Sequence, residues 1–597
     1  MPNINNENDD LSTNGQGPLE DTSPYYETDS NQYNKSLEDD EAAANAAKLG
    51  IDNGDENTVS PSGSTSHRGK RRKSLVSTQE SVAHVSPYEQ DPDPEKHVLK
   101  EWDCYDHLGY SFSTRRKWSV IAVIGICQLS MNFNTSVYPH ATPLIAKDFN
   151  ISEQAANTSQ MIFLVSYAFG CELWAPWSEE YGRWIVMQCS LLSSNIWQIL
   201  GGLAPNFGSI VVARFLGGIS LAGGSVTLGV AADMWDSADH GYAVAFVVLC
   251  SVGGTVIGPV FGGLMEEHLS WHWNFWIQLM FNGVTQILHF FIVPETRSTV
   301  IMDRLAKKLR KSGSDPHAYG PGEVKPFSLK ELLKTWIRPF HMFVCEPIVL
   351  FCSLLSGFAD HLIFICNQAF GPIFEQWHFS TTAQGLTFIT LVIAYLIGYV
   401  LHLIDIREQR KIMDRMLHSP RGPERRLLLL LFLAPMLSIG LFGFAWTTMG
   451  PHYTPWIAPC IFSAVLGIGN YSIYMATIDY MVAAYGPYSA SATGGNGFAR
   501  DFLAGIAAMY ATPLYNNIGH RFHFQWASTL LGCLGILCTI PIYVFYWKGP
   551  TIRKRSKFAQ ALSEEFEEGR RKEHKYQQKE QEGSATSTTL GSAVEDV

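Results

Sequence analysis

Twelve long apolar runs, separated by polar connections, occupy the region from about Trp118 to Trp547. Each run is long enough to cross about 30 Å of hydrocarbon as a helix that rises 1.5 Å per residue. Because lipid offers the backbone no hydrogen-bond partner, a run that crosses it has to be helical. The mean hydropathy of the whole chain is only +0.01, since polar tails offset these runs. The sequence therefore predicts an all-α polytopic membrane protein.

The runs form two sets of six, which predicts two six-helix halves. The first set lies near 118–138, 160–177, 184–203, 208–230, 242–264 and 272–293, and the second near 347–370, 383–404, 426–446, 456–482, 495–514 and 523–547. The predicted organisation is a disordered acidic and polar tail (1–110), a first half (115–293), a central loop (294–341), a second half (342–548) and a C-terminal tail (549–597).

The distribution of lysine and arginine predicts the orientation. These residues are concentrated before the first run, in the central loop, at 405–426 and after the last run, whereas the alternate connections offer little beyond Lys147 and Arg521. Since basic residues accumulate on the cytosolic side, both termini and the central loop are predicted to be cytosolic. No early apolar stretch resembles a cleaved signal peptide, so we expect the first spanning helix to act as the membrane-targeting signal. We expect the plasma membrane, with the vacuolar membrane as the alternative.

The sequence argues against an enzyme and against a metal protein. No nucleophile–base constellation, CxxC pair or Cys/His ligand cluster occurs, and the eleven cysteines are scattered, mostly within apolar runs. No GxxxxGK[ST] loop occurs, which excludes an ATP-driven pump built from this single chain. The net charge of −11 comes largely from the tails. We therefore expect no metal, no bound cofactor and no nucleic-acid partner.

Three motifs in the first half carry structural information. The connection from Ala175 to Arg183 is a tight turn whose acid can meet a helix N-terminus and whose arginine can meet an acid; its key residues are Ser178, Glu179, Gly182 and Arg183. Arg214 opens the run Arg-Phe-Leu-Gly-Gly within the fourth span, where a cation needs a partner. The fifth span has a smooth face, on which another helix can pack closely, and a helix-breaking proline; these residues are Gly254, Gly258, Pro259, Gly262 and Gly263.

These residues resemble the major facilitator superfamily, specifically the twelve-span drug:proton antiporters of fungi. The connection 175–183 is similar to the signature between helices two and three, Arg214–Gly218 to the helix-four signature, and Gly254–Gly263 to the antiporter signature of helix five. Phe275-Trp-Ile, Pro294-Glu-Thr-Arg297, Glu346-Pro-Ile-Val349 and the run Asn496–Arg500 add to the resemblance, which covers about 115–548. Ala175, Trp184 and Glu172 depart from the family pattern.

The resemblance implies a monomeric secondary transporter in which two halves rock around a central site, driven by the proton gradient. The implied function is export of amphipathic organic compounds, such as drugs, toxins, polyamines or secondary metabolites. A proton-coupled nutrient importer has the same fold, although the complete antiporter signature argues against it. A non-transporting receptor on this fold is a further alternative, which would explain the long tails.

Ionisable residues within the spans are candidates for proton coupling or substrate binding. Glu172 and Asp360 are the candidate acids, with a structural ion pair as the alternative, and Arg214 is the partner that the resemblance implies for an acid. His361 is included because it follows Asp360. For Asp479 and for Arg500 and Asp501, which open the eleventh run, we favour a gate or an interhelical pair.

Other predicted sites are peripheral. Four aromatic residues are candidates for cation–π contact with a substrate, with lipid-facing packing as the favoured alternative: Phe163, Tyr167, Phe364 and Tyr474. Asn150 and Asn157 are glycosylation sequons in the first outer connection. Ser74 follows the basic run 68–73 and suits a basophilic kinase, although we favour a basic run that meets anionic lipid.

Overall fold

The computed structural model describes residues 97–235, 239–324, 329–415, 423–519 and 522–560, so Ser74 and most of both tails lie outside the described residues. Within these ranges twelve helices have 20 or more residues, which confirms the all-α polytopic prediction. In chain order they are α1 (Thr114–Val137), α2 (Glu153–Tyr181), α3 (Arg183–Gly202), α4 (Phe207–Ala232), α5 (His240–His268), α6 (His272–Ile292), α7 (Pro347–Glu375), α8 (Ile389–Arg415), α9 (Pro423–Thr447), α10 (Ile457–Tyr485), α11 (Ser489–Asn517) and α12 (His523–Arg553).

Nine of the twelve described helices are apolar enough, by length and composition alone, to cross a membrane. The three exceptions are α2, α3 and α11, each of which is at least 20 residues long. Their hydropathy is lowered by polar side chains that pack against other helices, such as Gln160, Asn195 and Arg500, all at most 9% exposed. Polarity in these helices therefore marks the interior of the bundle.

Two helices, α2 and α11, begin six or more residues earlier than hydropathy predicts. The second run was expected from 160, but α2 begins at Glu153, after Ser152, whose hydroxyl accepts a hydrogen bond from the Ala155 N–H. The eleventh run was expected from 495, but α11 begins at Ser489. Arg500 and Asp501 consequently lie in the middle of α11, so the expectation that they open this helix is wrong.

The two halves repeat one pattern of helix packing. In the first half the main contacts are α1–α5, α2–α4, α3–α4, α3–α6 and α1–α6. In the second half they are α7–α11, α8–α10, α9–α10, α9–α12 and α7–α12, which are the same pairs with six added to each number. Between the halves α2 packs on α11 and α5 packs on α8. Replacing each helix by its counterpart in the other half (α2 by α8 and α11 by α5) turns one pair into the other, as a pseudo-two-fold axis between the halves requires.

The residues before α1 fold onto the central loop. His97–Val98 pairs in parallel with Ala318–Tyr319, and two short 3₁₀ helices follow at Glu101–His107 and Gly109–Ser111. Three apolar residues, Leu99, Cys104 and Leu108, pack against the loop helix Ser298–Ser312 and its surroundings. The end of the predicted tail, from His97 onward, is therefore structured, and the central loop contains helices of its own, including Leu329–Cys345.

Candidate functional site

A buried charge cluster lies in the middle of the bundle, on α7 and α11. The Nε atom of Arg500 is 3.7 Å from Oδ2 of Asp360, and its Nη2 atom is 3.8 Å from Oδ1 of Asp501. All three side chains are 9% exposed. These distances exceed those of hydrogen bonds, so the contacts are ion pairs in which one guanidinium is shared by two carboxylates.

The cluster is connected to helices of both halves. The guanidinium carbon of Arg500 lies 4.0 Å from the centroid of the Tyr474 ring on α10. Across the interface, Cys171 Sγ on α2 lies 3.9 Å from Oδ2 of Asp501. Sequence reasoning placed Asp360 among the coupling candidates and Arg500 and Asp501 among the gate residues; the fold brings all three together.

Glu172, next to Cys171 on α2, faces the second half directly. It is 5% exposed, and its carboxylate lies against Gly494 of α11, where a Cβ atom would be 2.8 Å from Oε1 and 3.0 Å from Oε2. Its Oε1 atom has no hydrogen-bond partner among the described residues. A charged carboxylate is costly to bury without a partner. Burial of Glu172 and proton binding are therefore expected to be linked.

In the described part of the chain, Arg214 lacks the acidic partner that the resemblance implied. It is 1% exposed, and its Nη2 donates to Oε1 of Gln160 at 2.8 Å, while its Nη1 lies 3.5 Å from Oδ1 of Asn134. Its guanidinium carbon lies over the rings of Tyr138 and Phe163, 4.0 Å and 3.7 Å from their centroids. The expected pairing of Arg214 with a protonatable acid is thus not present among the contacts of the described residues.

The remaining intramembrane charges have structural partners. His361 contacts the carbonyl of Leu503 through Nδ1 at 2.9 Å and the Tyr510 hydroxyl through Nε2, and both partners are on α11. This geometry favours an interhelical hydrogen-bonding role for His361 over a role in proton coupling. Asp479 on α10 forms an ion pair with Arg426 of α9. This contact agrees with the interhelical pair that we favoured for Asp479.

The four candidate aromatic residues face the interior. Phe163, Tyr167, Phe364 and Tyr474 are at most 8% exposed, so the favoured alternative of lipid-facing packing is wrong for each of them. Phe163 and Tyr474 carry the guanidinium groups of Arg214 and Arg500 on their faces. Two of the predicted cation–π sites are therefore already occupied by cations of the protein itself.

The turn between α2 and α3 joins a second charge network, at the end of the bundle that carries the central loop. Arg183 donates from Nε to Oδ2 of Asp233, at 3.0 Å, and from Nη1 to Oγ of Ser178, at 2.6 Å. Arg297, beyond α6, lies 3.8 Å from Oδ1 of Asp233. Glu179 is half-buried in the same turn. These contacts connect the ends of α2, α3, α4 and α6, all in the first half.

Glu295 completes this network, and sequence reasoning assigned it no role. Its Oε1 accepts from the backbone N–H of Arg183 at 2.8 Å, and its Oε2 accepts from that of Trp184 at 3.3 Å. A carboxylate at the N-terminus of α3 satisfies free N–H groups and matches the positive end of the helix dipole. Gly182, at φ 104°, makes room for it. The run Pro294-Glu-Thr-Arg297, which resembles the family, was the one feature of the sequence that could have drawn attention to Glu295.

The glycine face of α5 packs as predicted. A Cβ at Gly254 would lie 2.6 Å from the Leu129 carbonyl, and one at Gly258 would lie 2.9 Å from the Val137 nitrogen, so both glycines allow α1 to approach. Gly262 faces His140 beyond the end of α1. Gly263 faces the second half, where a Cβ would lie 2.6 Å from the Thr381 carbonyl, and the Pro259 carbonyl faces Gly385 nearby.

The two sequons differ in accessibility. Asn150 is exposed at the turn before α2 and stays a candidate for glycosylation. Asn157 lies within α2 and is 7% exposed. A glycosylated asparagine requires an exposed side chain, so the structure argues against modification of Asn157.

Known proteins resemble this chain in sequence and in fold. The family model described as Major Facilitator Superfamily matches residues 124–509. The MFS-type transporter acdC of Aspergillus candidus is 30% identical over 470 residues, which cover 77% of this chain and 90% of the relative. The major facilitator superfamily multidrug transporter FLU1 of Candida albicans is 29% identical over 468 residues, which cover 77% and 75%. The xylose transporter XylE of E. coli matches in fold, with a TM-score of 0.50 and 17% identity, over 73% of this chain and 98% of that chain.

Proposed function

The chain belongs to the Major Facilitator Superfamily, and from that premise we propose that it is a proton-coupled exporter of amphipathic organic compounds. The halves would rock about the central cluster and open it alternately to each side of the membrane. Export is supported by the glycine signature of α5, and by the similarity to a multidrug transporter of Candida albicans. The proposal makes the protein a monomer in the plasma membrane, or in the vacuolar membrane, with both termini cytosolic as the positive-inside pattern implies.

The observation that carries the proposal is the position of three buried carboxyl groups at and beside the contact between α2 and α11. Glu172 on α2 is 5% exposed, and its Oε1 has no hydrogen-bond partner within the described ranges, while Asp360 and Asp501 share Arg500. Intramembrane carboxyls that lie between two moving halves are suited to carry protons. A structural ion pair alone would not require the third acid, Glu172.

The proposed coupling follows from what a proton changes at this contact. Protonated Glu172 is neutral and is stable against Gly494 when α2 and α11 are closed, whereas the charged form favours separation and contact with water. Protonation of Asp360 or Asp501 removes one of the two anions that hold Arg500. In the export cycle, a proton that enters from outside neutralises an acid, and substrate leaves toward the outside.

The test uses purified protein in proteoliposomes that contain a pH-sensitive dye, with an imposed proton gradient. Amphipathic cations, polyamines, organic acids and neutral toxins are added in turn, and substrate-dependent proton flux is the expected result. Glu172→Gln and Asp360→Asn should each abolish that flux. Glu375→Gln is the matched control, because it changes an exposed carboxylate on the same helix as Asp360 and should leave the flux intact.

Each other outcome contradicts a defined part of the proposal. Proton movement in the same direction as the substrate would replace antiport by the import alternative. Absence of flux with every compound, from folded protein, would favour the receptor. Flux that persists in both Glu172→Gln and Asp360→Asn would remove these acids from the coupling mechanism.

A further inference from the structure

Among the described residues, Arg214 is a buried cation that forms no ion pair with a carboxylate. Four arginines in the described part of the chain are buried, with at most 7% of the whole residue exposed. Arg183 and Arg297 pair with Asp233, and Arg500 pairs with two aspartates. The contacts of Arg214 are instead two amide oxygens and two aromatic rings, and its Nε has no hydrogen-bond partner among the described residues.

A buried guanidinium without a carboxylate partner is energetically unfavourable, which points to a functional reason for its presence. Removing a cation from water is costly, and amide dipoles recover only part of that cost. Such a group is expected to attract an anion, and the planar guanidinium fork is well suited to bind carboxylate. Intramembrane charges of this kind commonly mark a substrate pathway.

The surroundings of Arg214 hold its guanidinium in one place. Gln160 and Asn134, each 1% exposed, come from α2 and α1 and bind it from two helices. The rings of Tyr138 and Phe163 also contact it, with their centroids 4.0 Å and 3.7 Å from the guanidinium carbon. A fixed guanidinium loses little side-chain entropy when it binds an anion, which favours recognition by preorganisation.

One face of α2 connects Arg214 with the coupling acids. Gln160, Phe163, Tyr167 and Cys171 follow one another at spacings of three or four residues, so they share a face of the helix. The first of them binds Arg214, and the last lies 3.9 Å from Oδ2 of Asp501. A ligand at Arg214 would therefore lie along the same helix face as the proposed proton-binding cluster.

We propose that Arg214 binds the anionic group of the substrate, and that the transported compounds are organic acids that bear a carboxylate or a comparable anion. The inference rests on the proposed transport function and narrows its substrate class. Cationic substrates fit less well, because Arg214 and Arg500 already cover the ring faces of Phe163 and Tyr474. A cation would have to displace, or lie beside, a guanidinium of the same charge.

The test compares three compounds of the same shape and different charge: naphthalene-2-carboxylate, naphthalene-2-carboxamide and 2-naphthylmethylamine in its ammonium form. Binding to the full chain in lipid nanodiscs is measured from the increase in thermal stability with ligand concentration, since a ligand that binds the folded state stabilises it. A charge-assisted guanidinium contact should favour the carboxylate over the amide by roughly tenfold or more in Kd.

Two variants supply Arg214 with an internal anion without changing side-chain size. Gln160→Glu puts a carboxylate at the atom now 2.8 Å from Nη2, and Asn134→Asp does so at the more distant contact. Either variant should reduce the carboxylate preference to within about threefold, because the guanidinium is already neutralised. If one variant fails to fold, the other still tests the inference. Gln188→Glu is the matched control, because this buried amide contacts His289 and Gln286 instead.

The outcomes distinguish this inference from the proposed function. Preference for the ammonium or the amide, or absence of carboxylate binding, overturns the inference, while proton flux with cationic or neutral compounds would leave the transport proposal intact. A carboxylate preference that survives both Gln160→Glu and Asn134→Asp removes Arg214 from recognition. A preference lost equally in Gln188→Glu shows a nonspecific effect of buried charge, and also overturns the assignment.

Discussion

Gly182 and Glu295 are expected to stabilise the first half as one unit, and a double-mutant cycle can test this. Gly182 has φ 104° and ψ 154°, a region that residues with a Cβ rarely adopt. A Cβ at this position would also lie 2.7 Å from Cδ of Glu295, the carboxylate that accepts from the N–H groups of Arg183 and Trp184. Gly182→Ala should therefore strain the turn and displace the cap of α3 together.

The magnitudes follow from these two effects. Backbone strain of this kind costs about 1–3 kcal/mol. Loss of a helix cap costs about 1–2 kcal/mol, which is the whole expected effect of Glu295→Ala. Gly182→Ala should thus cost about 2–5 kcal/mol, because it includes both effects. The double variant loses the cap only once, so it should fall short of additivity by about 1–2 kcal/mol.

The free energy of unfolding can be measured by reversible SDS titration in mixed micelles, followed by helical circular dichroism. Gly313→Ala is the control, because Gly313 also has positive φ (73°) but a Cβ added there would have nothing within 4 Å. Its cost should be strain alone and should add to that of Glu295→Ala. If Glu295→Ala costs as much in the Gly182→Ala background as in the unaltered chain, the shared-cap argument is refuted.

Three further predictions concern packing, pH and charge. Gly258→Ala should lower the free energy of unfolding by about 1–3 kcal/mol, because the new Cβ would collide with the backbone of α1. Gly283→Ala is the control, because a Cβ there would have no described atom within 4 Å. It should leave the free energy of unfolding unchanged or raise it by up to about 1 kcal/mol in the same SDS titration. The Arg310 guanidinium lowers the pKa of Glu323 to about 2. Because the folded pKa is below the unfolded value of about 4.3, the stabilisation by Glu323 is present above pH 4.3 and is lost as the pH falls toward 2. The rate of backbone hydrogen exchange at 318–324, corrected for intrinsic rates, should therefore rise below about pH 4. Glu323→Gln should remove this pH dependence. Asp479→Asn should lower stability by about 1 kcal/mol through loss of its ion pair with α9, yet leave substrate-driven proton flux unchanged; loss of flux would add Asp479 to the coupling groups.

The two buried arginines near the centre of the bundle differ in the groups that surround them. Arg500 is matched by two carboxylates, while Arg214 is held by amides and rings. A matched cation can exchange partners when a proton neutralises one acid, and an unmatched cation can accept an external anion. Arg214 in the first half is thus suited to bind an anion, and Arg500 in the second half is suited to exchange carboxylate partners, although the helices of the two halves repeat the same packing pattern.

Some of this site could be predicted because its signals are local. The glycine spacing of α5 specifies a smooth helix face, and a Cβ at Gly254 or Gly258 would indeed collide with α1. The acids Glu172 and Asp360 stand out because charges are rare inside apolar runs. Glu295 was missed because its role as a helix cap depends on a helix that begins 112 positions earlier in the chain.

The sequence by itself determined the class of protein, the two sets of six helices and most helix bounds, because the cost of placing polar groups in lipid acts on each segment separately. Only the tertiary structure decided which charges meet. Asp360 and Arg500 are separated by 140 positions, yet α7 and α11 bring them within 3.7 Å. Hydropathy understated α2 and α11, because polar residues such as Gln160 and Arg500 are buried against other helices. Pairing among such residues depends on helix packing, which local sequence does not encode.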